Sequence, residues 1–244
     1  MQQQLYSSII KSKSNGKKQF AVLIDPDKFE SDEVLDLSKE AGVDFIMLGG
    51  SILTNGNFEK CVERIKKKTT IPLIIFPGNS LQVSKNADGI LLLSLISGRN
   101  PEMLIGNHVI AAPALKSSKL EILPTGYMLI ESGKQTAALY MSNTTPIPHQ
   151  KDDIAMCTAM AGEMLGLKLI YMDAGSGAEQ CVSVSMISKV STNIEIPLIV
   201  GGGINSAEKA DVACKAGADI IVVGNAIEKD KSLLKEIAAA IHSF

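Results

Sequence analysis

Tryptophan is absent from the 244 residues, and six Phe with four Tyr bring the aromatic share to only 4%. The 45% of hydrophobic residues therefore falls mainly to Ile, Val, Leu and Met, side chains that fill the layered interior of a barrel. Cysteine is scarce, and Cys61, Cys157, Cys181 and Cys214 lie far apart with no CxxC spacing. That pattern argues against a disulfide framework or a zinc site and predicts reduced, buried thiols. No run of about 18 apolar residues occurs, so no membrane span is predicted. The start, Met-Gln-Gln-Gln-Leu5, has neither the charged region nor the apolar region of a leader. A soluble, cytoplasmic protein is the expectation, with contact at a membrane surface left open. The 24 basic and 26 acidic residues carry no excess of one sign, so nothing favours nucleic acid as a partner. The three histidines are scattered and form no ligand set.

What is present is a repeat of short, continuous apolar runs about every 25–30 residues. Eight are strand candidates: 20–25, 45–49, 72–76, 89–95, 127–130, 169–173, 197–201 and 219–224. Their lack of alternation reads as strands buried on both faces. Helical periodicity separates them at 32–41, 57–67 and 154–165. Three segments ending at Asp44, Asp88 and Asp219 place an acidic residue just before a strand, two of them with a glycine suited to ending a helix. The chain thus reads as α/β, a (β/α)8 TIM barrel forming a single domain over 1–244, a length near the roughly 250 residues of that fold. The connection 78–88 is too short for an outer helix, so the helix after strand 3 is expected to be missing or vestigial. The connection 131–153 is long, which suggests a lid or binding loop.

The chemistry concentrates at predicted strand ends, where barrels place their active sites. Strands 7 and 8 end in Gly201, Gly202, Gly203 and in Gly224, Asn225, backbone bare enough for a phosphate to approach. Strand 6 ends in Tyr171, Met172, Asp173, Ala174, Gly175, Ser176 and Gly177, an acid followed by a loop rich in N–H donors. Strand 1 ends in Asp25, which Pro26 biases toward an extended backbone, with Asp27 and Lys28 in the same turn. Strand 2 ends in Gly49, Gly50 and Ser51. A hydroxyl and a carboxylate suit one Mg²⁺, although on residues alone the helix N-cap is the preferred reading of Ser51. Asp152 and Asp153 read as acids at the start of a helix.

Taken together, Leu23–Lys28, Gly49–Ser51, Tyr171–Gly177, Gly201–Gly203 and Gly224–Asn225 resemble the geranylgeranylglyceryl phosphate synthase family, which includes bacterial heptaprenylglyceryl phosphate synthases. The resemblance spans essentially the whole chain. It implies a barrel lacking a regular helix 3 and a Mg²⁺-dependent prenyltransferase joining the 3-hydroxyl of sn-glycerol 1-phosphate to a long prenyl diphosphate. It implies Asp25 and Ser51 as metal ligands and Asp173 as the candidate base. Tyr171 to Gly177, Gly202, Gly203, Gly224 and Asn225 would hold glycerol 1-phosphate, the last four around its phosphate. Family members commonly assemble as dimers or hexamers. Two departures stand out: Asp173 where many members have Glu, and Leu23 where heptaprenyl-type members have Lys. The second favours the archaeal-type geranylgeranyl activity. Leu95, Ile96 and Tyr127 are expected walls of a prenyl groove. The competing readings are a phosphate-binding barrel of histidine, tryptophan or thiamine biosynthesis, and a non-enzymatic phosphometabolite sensor.

Overall fold

Every inward-pointing side chain of the barrel follows from strand parity, because successive residues alternate between faces. The computed structural model describes residues 4–55 and 57–244; residues 1–3, read above for a leader, lie outside them. Eight parallel strands pair in chain order: β1 (Gln19–Ile24), β2 (Phe45–Leu48), β3 (Leu73–Ile75), β4 (Gly89–Leu95), β5 (Glu121–Leu129), β6 (Leu169–Asp173), β7 (Leu198–Gly201) and β8 (Ile220–Val223). β8 returns to pair with β1 and closes the barrel. The helices are α1 (Gln4–Ser14), α2 (Glu33–Ala41), α3 (Phe58–Lys68), α4 (Asn107–Ser118), α5 (Ala137–Ser142), α6 (Asp152–Met164), α7 (Val184–Ser191), α8 (Ala207–Lys215), α9 (Asn225–Lys229) and α10 (Leu233–Ile241).

The two faces of the sheet carry two cores. Ala21, Met47, Ile74, Leu91, Leu123, Leu169, Ile199 and Ile220 fill the barrel interior. Val22, Ile46, Ile170, Val200 and Ile221 pack outward against the helices. Leu5 and Ile9 of α1 join the inner core, and the Glu121 carboxylate accepts the Leu5 and Tyr6 N–H groups at 2.8 Å each, fixing the helix there. The acids before strands have a cross-strand task. Asp44, Asp88 and Asp219 accept the N–H of Phe20, Leu73 and Leu198, residues at the entry of the strand that precedes each in the sheet.

Four expectations change. Strand 5 starts at Glu121 instead of Tyr127. Pro124 and Gly126 are strand breakers by propensity, but the ladder tolerates both: Pro124 still accepts from Lys168 N–H, and a Cβ at Gly126 would come 2.7 Å from Ile96 Cδ1. The connection 131–153 is partly ordered by α5 and by a bridge from Ile130 to Ile147. Ser51 caps no helix; α3 begins after Asn57. The cysteines are free as expected, yet only Cys61 and Cys214 are buried, Cys157 being exposed and Cys181 half-buried. Burial pushes the Cys214 thiol up to about 12, leaving it inert. Asp152 and Asp153 do stand in the first turn of α6.

No helix follows β3. Residues 78–88 form turns, held on the β2 loop by Gln82, which donates to the Gly50 carbonyl at 3.0 Å and accepts the Gly78 N–H at 3.1 Å. The outer face of β3 and β4 consequently packs, among the described residues, against Val83, Ala87, Phe58, Leu120, Ile122 and the Ala111 and Leu115 side of α4.

Candidate active site

A cavity of about 500 Å³ opens at the C-terminal ends of the strands and runs from a polar mouth into an apolar groove. Its polar end gathers Asp25, Ser51, Asp173, Gly175, Ser176, Gly177, Gly202, Gly203, Gly224 and Asn225. Its apolar end is lined by Val83, Ile90, Leu92, Met103, Ala111 and Leu115, along the face left open by the missing helix.

Asp173, at the inward end of β6, is buried. Its Oδ2 accepts the Tyr127 hydroxyl at 2.5 Å and its Oδ1 accepts the Gly175 N–H at 2.7 Å. Burial raises its carboxyl above the ordinary range, opposed by these two hydrogen bonds. Burial also lifts the Tyr127 and Tyr171 phenols far above theirs, so both stay protonated. Phe76 stacks on Tyr171 at 5.3 Å, and Tyr127 meets both rings edge-on, so the ring that binds the carboxylate belongs to a cluster of three.

Asp25 has the extended backbone that Pro26 favours, φ −82° and ψ 119°, and caps the short turn Pro26–Lys28 through Asp27 N–H. The turn and the site are thus the same residues. Lys28 bridges Asp25 and Glu228 at 3.2 Å each. Partial burial works to lower its pKa, but Glu228 and Asp25 outweigh that and hold it above its usual value. Asp27 accepts from Thr54 N–H, Thr54 Oγ1 and Asn55 N–H, tying the β1 loop to the β2 loop that carries Ser51. The Ser51 hydroxyl has no hydrogen-bond partner among the described residues.

These donors suit Mg²⁺. Asp25 and Ser51 present hard oxygens to one cavity, and no group of three or more His, Cys, Asp or Glu able to hold a metal exists among the described residues. A site of so few protein oxygens fits an ion that keeps waters and substrate oxygens in its shell.

The glycine loops interlock. Gly202 has φ +83°, and a Cβ there would come 2.6 Å from Gly175 N. Gly224 has φ −121° and more room, its nearest obstacle the Leu23 carbonyl at 3.3 Å. With its amide oxygen accepting Gly177 N–H at 3.1 Å and its nitrogen donating to Ser176 Oγ at 3.0 Å, Asn225 joins the β8 loop to the β6 loop.

Two residues of the Tyr171–Gly177 stretch stand apart. Met172 and Ala174 alternate to the outer face, pack under the helices and do not line the cavity. The Ala174 N–H is taken by Gly201 O, and the Met172 backbone belongs to the sheet. Tyr171 lines the cavity with its ring, its hydroxyl lying against Gly201. Of the expected groove walls, Leu95 and Tyr127 face the cavity while Ile96 packs in the outer core. Sequence reasoning missed Phe76, Glu228 and His108. His108 lines the groove, shares a hydrogen bond with Ser94 at 3.1 Å, and is kept neutral by burial. Period 3.6 counted back from Leu115 through Ala111 would have found it.

Residues 12–241 match the model of the PcrB family. A geranylgeranylglyceryl phosphate synthase of Chitinophaga pinensis is 56% identical over 246 residues, covering 100% of this chain and 98% of that protein. One of Thermococcus kodakarensis is 42% identical over 230 residues, covering 93% of this chain and 90% of that protein. The crystal structure of (S)-3-O-geranylgeranylglyceryl phosphate synthase from Thermoplasma acidophilum, in complex with substrate sn-glycerol-1-phosphate, has a TM-score of 0.92 to this fold at 31% identity, covering 98% of this chain and 99% of that one.

Proposed function

Because the chain belongs to the PcrB family, we infer that it is a prenyltransferase that transfers a geranylgeranyl group from geranylgeranyl diphosphate to the 3-hydroxyl of sn-glycerol 1-phosphate. One observation carries the reading at the level of the site: a single cavity joins a glycine-lined polar mouth to an apolar groove. A phosphometabolite sensor has no use for the second half, and the aromatic or ribosyl phosphates of the other barrels would leave it unfilled. At about 0.8 kcal/mol per buried methylene, even partial burial of a C20 chain along Ile90, Leu92 and Leu115 anchors it strongly.

In the reaction we propose, the glycerol phosphate lies between the Gly175–Gly177, Gly202–Gly203 and Gly224–Asn225 loops. The 3-hydroxyl oxygen forms the ether bond to the allylic carbon as the carbon–diphosphate bond breaks. Asp173 takes the hydroxyl proton, its raised proton affinity making it the stronger base and Tyr127 with Gly175 holding its orientation. The faces of Phe76, Tyr127 and Tyr171 favour cationic character at the allylic carbon. Asp25 and Ser51 would hold Mg²⁺, which when bound neutralises charge on the leaving diphosphate. Among the described residues no helix is long and apolar enough to cross a membrane. A cytoplasmic homo-oligomer that touches a membrane surface to release its lipid product completes the proposal.

The test is turnover of sn-glycerol 1-phosphate with C10 to C35 prenyl diphosphates. An ether product with the C20 donor preferred is expected; no ether product with any donor, or turnover of ribosyl phosphates instead, would overturn the reading.

The glycines separate by geometry. Gly224→Ala should leave the barrel folded and raise KM for glycerol 1-phosphate about tenfold, with little effect on the prenyl substrate, because the methyl group holds the phosphate off the backbone N–H groups. Gly202→Ala should damage the fold itself, since a side chain at φ +83° also strikes Gly175 N. Thermal midpoints and the two KM values check both.

A further inference from the structure

A phosphate monoester brings close to two negative charges into the glycine-lined mouth, where backbone N–H groups supply only partial positive charge. The neighbouring cations differ in how far they are already committed and in where they stand: Lys229 lines the mouth beside Asn225 and Glu228 and makes no ion pair among the described residues. Lys28 is held between Asp25 and Glu228, and Lys209 Nζ is turned onto the Gly203 carbonyl at 3.4 Å. Lys134 makes no ion pair among the described residues.

Contacts on both sides set the place of Lys134. The N–H groups of Glu179 and Gln180 both donate to the Ser132 carbonyl at 3.2 Å, clamping the loop after β5 onto the loop after β6. Gly133, at φ +85°, then turns the chain. Just beyond, Thr136 packs against Gly175, where a Cβ would lie 2.7 Å from its Oγ1. Between these anchors Lys134 Nζ overhangs Gly177: a Cβ on Gly177 would lie 3.8 Å from it. The ammonium therefore stands beside the loop whose Gly177 N–H and Ser176 hydroxyl meet Asn225. A point charge on a flexible stem serves such a task, reaching the anion without demanding one geometry.

We propose that Lys134 is a phosphate ligand, closing the glycine-lined mouth from the β5 side and setting the affinity for the phosphorylated acceptor. The identity of that acceptor rests on the function proposed above. The same positions would make Lys134 a residue of substrate binding and not of the proton transfer at Asp173.

The experiment is calorimetric titration of the full chain with inorganic phosphate and with sn-glycerol 1-phosphate, for the wild type, Lys134→Gln and Lys134→Arg, together with KM for both substrates. Lys134→Gln should weaken both phosphate ligands roughly five- to tenfold, and the dependence of affinity on salt should flatten. Its kcat, thermal midpoint and KM for the prenyl diphosphate should stay near wild type, and Lys134→Arg should recover most of the affinity. Unchanged phosphate affinity in Lys134→Gln, or an equal rise in both KM values, would overturn the assignment. If Lys134→Gln weakens inorganic phosphate while glycerol 1-phosphate binds the wild type no better than phosphate does, the assignment stands and the acceptor reading falls.

Discussion

Asp25→Asn is expected to lower turnover about a thousandfold while the barrel stays folded. The amide keeps the shape of the carboxylate and can still accept the Asp27 N–H that closes the Pro26–Lys28 turn. What it loses is charge. The ion pair with Lys28 joins two partly exposed groups, so its loss costs stability little. The metal proposed for Asp25 and Ser51, in contrast, would supply several kcal/mol to a leaving diphosphate, and about 1.4 kcal/mol corresponds to each tenfold in rate. Turnover as a function of Mg²⁺, calorimetric Mg²⁺ binding in the presence of pyrophosphate, and the thermal midpoint together check the expectation. Near wild-type activity at low Mg²⁺ would remove Asp25 from the metal site. Ser51→Ala should have the smaller effect, because a neutral oxygen is lost and not a charge.

The second large effect is expected at Asp173. General bases contribute about 10²–10⁴-fold, so Asp173→Asn should cut kcat by that order. Asp173→Glu, which installs the family's commoner residue, should keep substantial activity. The pH dependence has a definite sign. A base works only when deprotonated, so activity falls as pH drops through its pKa, and burial places that fall above the ordinary carboxylate range. The Tyr127 hydroxyl pulls the pKa down, so Tyr127→Phe should move the acid limb of the profile to higher pH. Stability follows the same linkage. A carboxyl whose folded pKa is raised contributes stability at low pH that is lost as pH rises through that pKa, so the ionised group costs stability at neutral pH. Asp173→Asn should therefore melt at or above the wild-type temperature near pH 7, and lose that advantage toward pH 4. If kcat is unchanged and only glycerol 1-phosphate binding weakens, Asp173 is a clamp on the glycerol hydroxyls and the base lies elsewhere.

Much of this molecule is determined by local sequence. Continuous apolar runs mark seven of the eight strands within a residue or two, and the short 78–88 segment announces the missing helix, because a strand's burial and a connection's length are properties of consecutive residues. The strand-end location of Asp25, Ser51 and Asp173 belongs to the same class. The first part of strand 5 escaped, since Pro124 and Gly126 break a strand by propensity and only the neighbouring strands of a closed barrel hold them in one. Tertiary structure decided the rest. Parity sends Asp173 to the mouth and Met172 and Ala174 to the helices, yet the partner that orients Asp173 is Tyr127, 46 residues away, and Lys28 meets Glu228 across 200 residues. The groove is likewise invisible locally: it exists because an absent helix leaves β3 and β4 to be covered by α4, which brings His108 and Leu115 beside the site. Period and propensity act over a few neighbouring residues, whereas a site is made by closing a sheet that sets distant strand ends side by side.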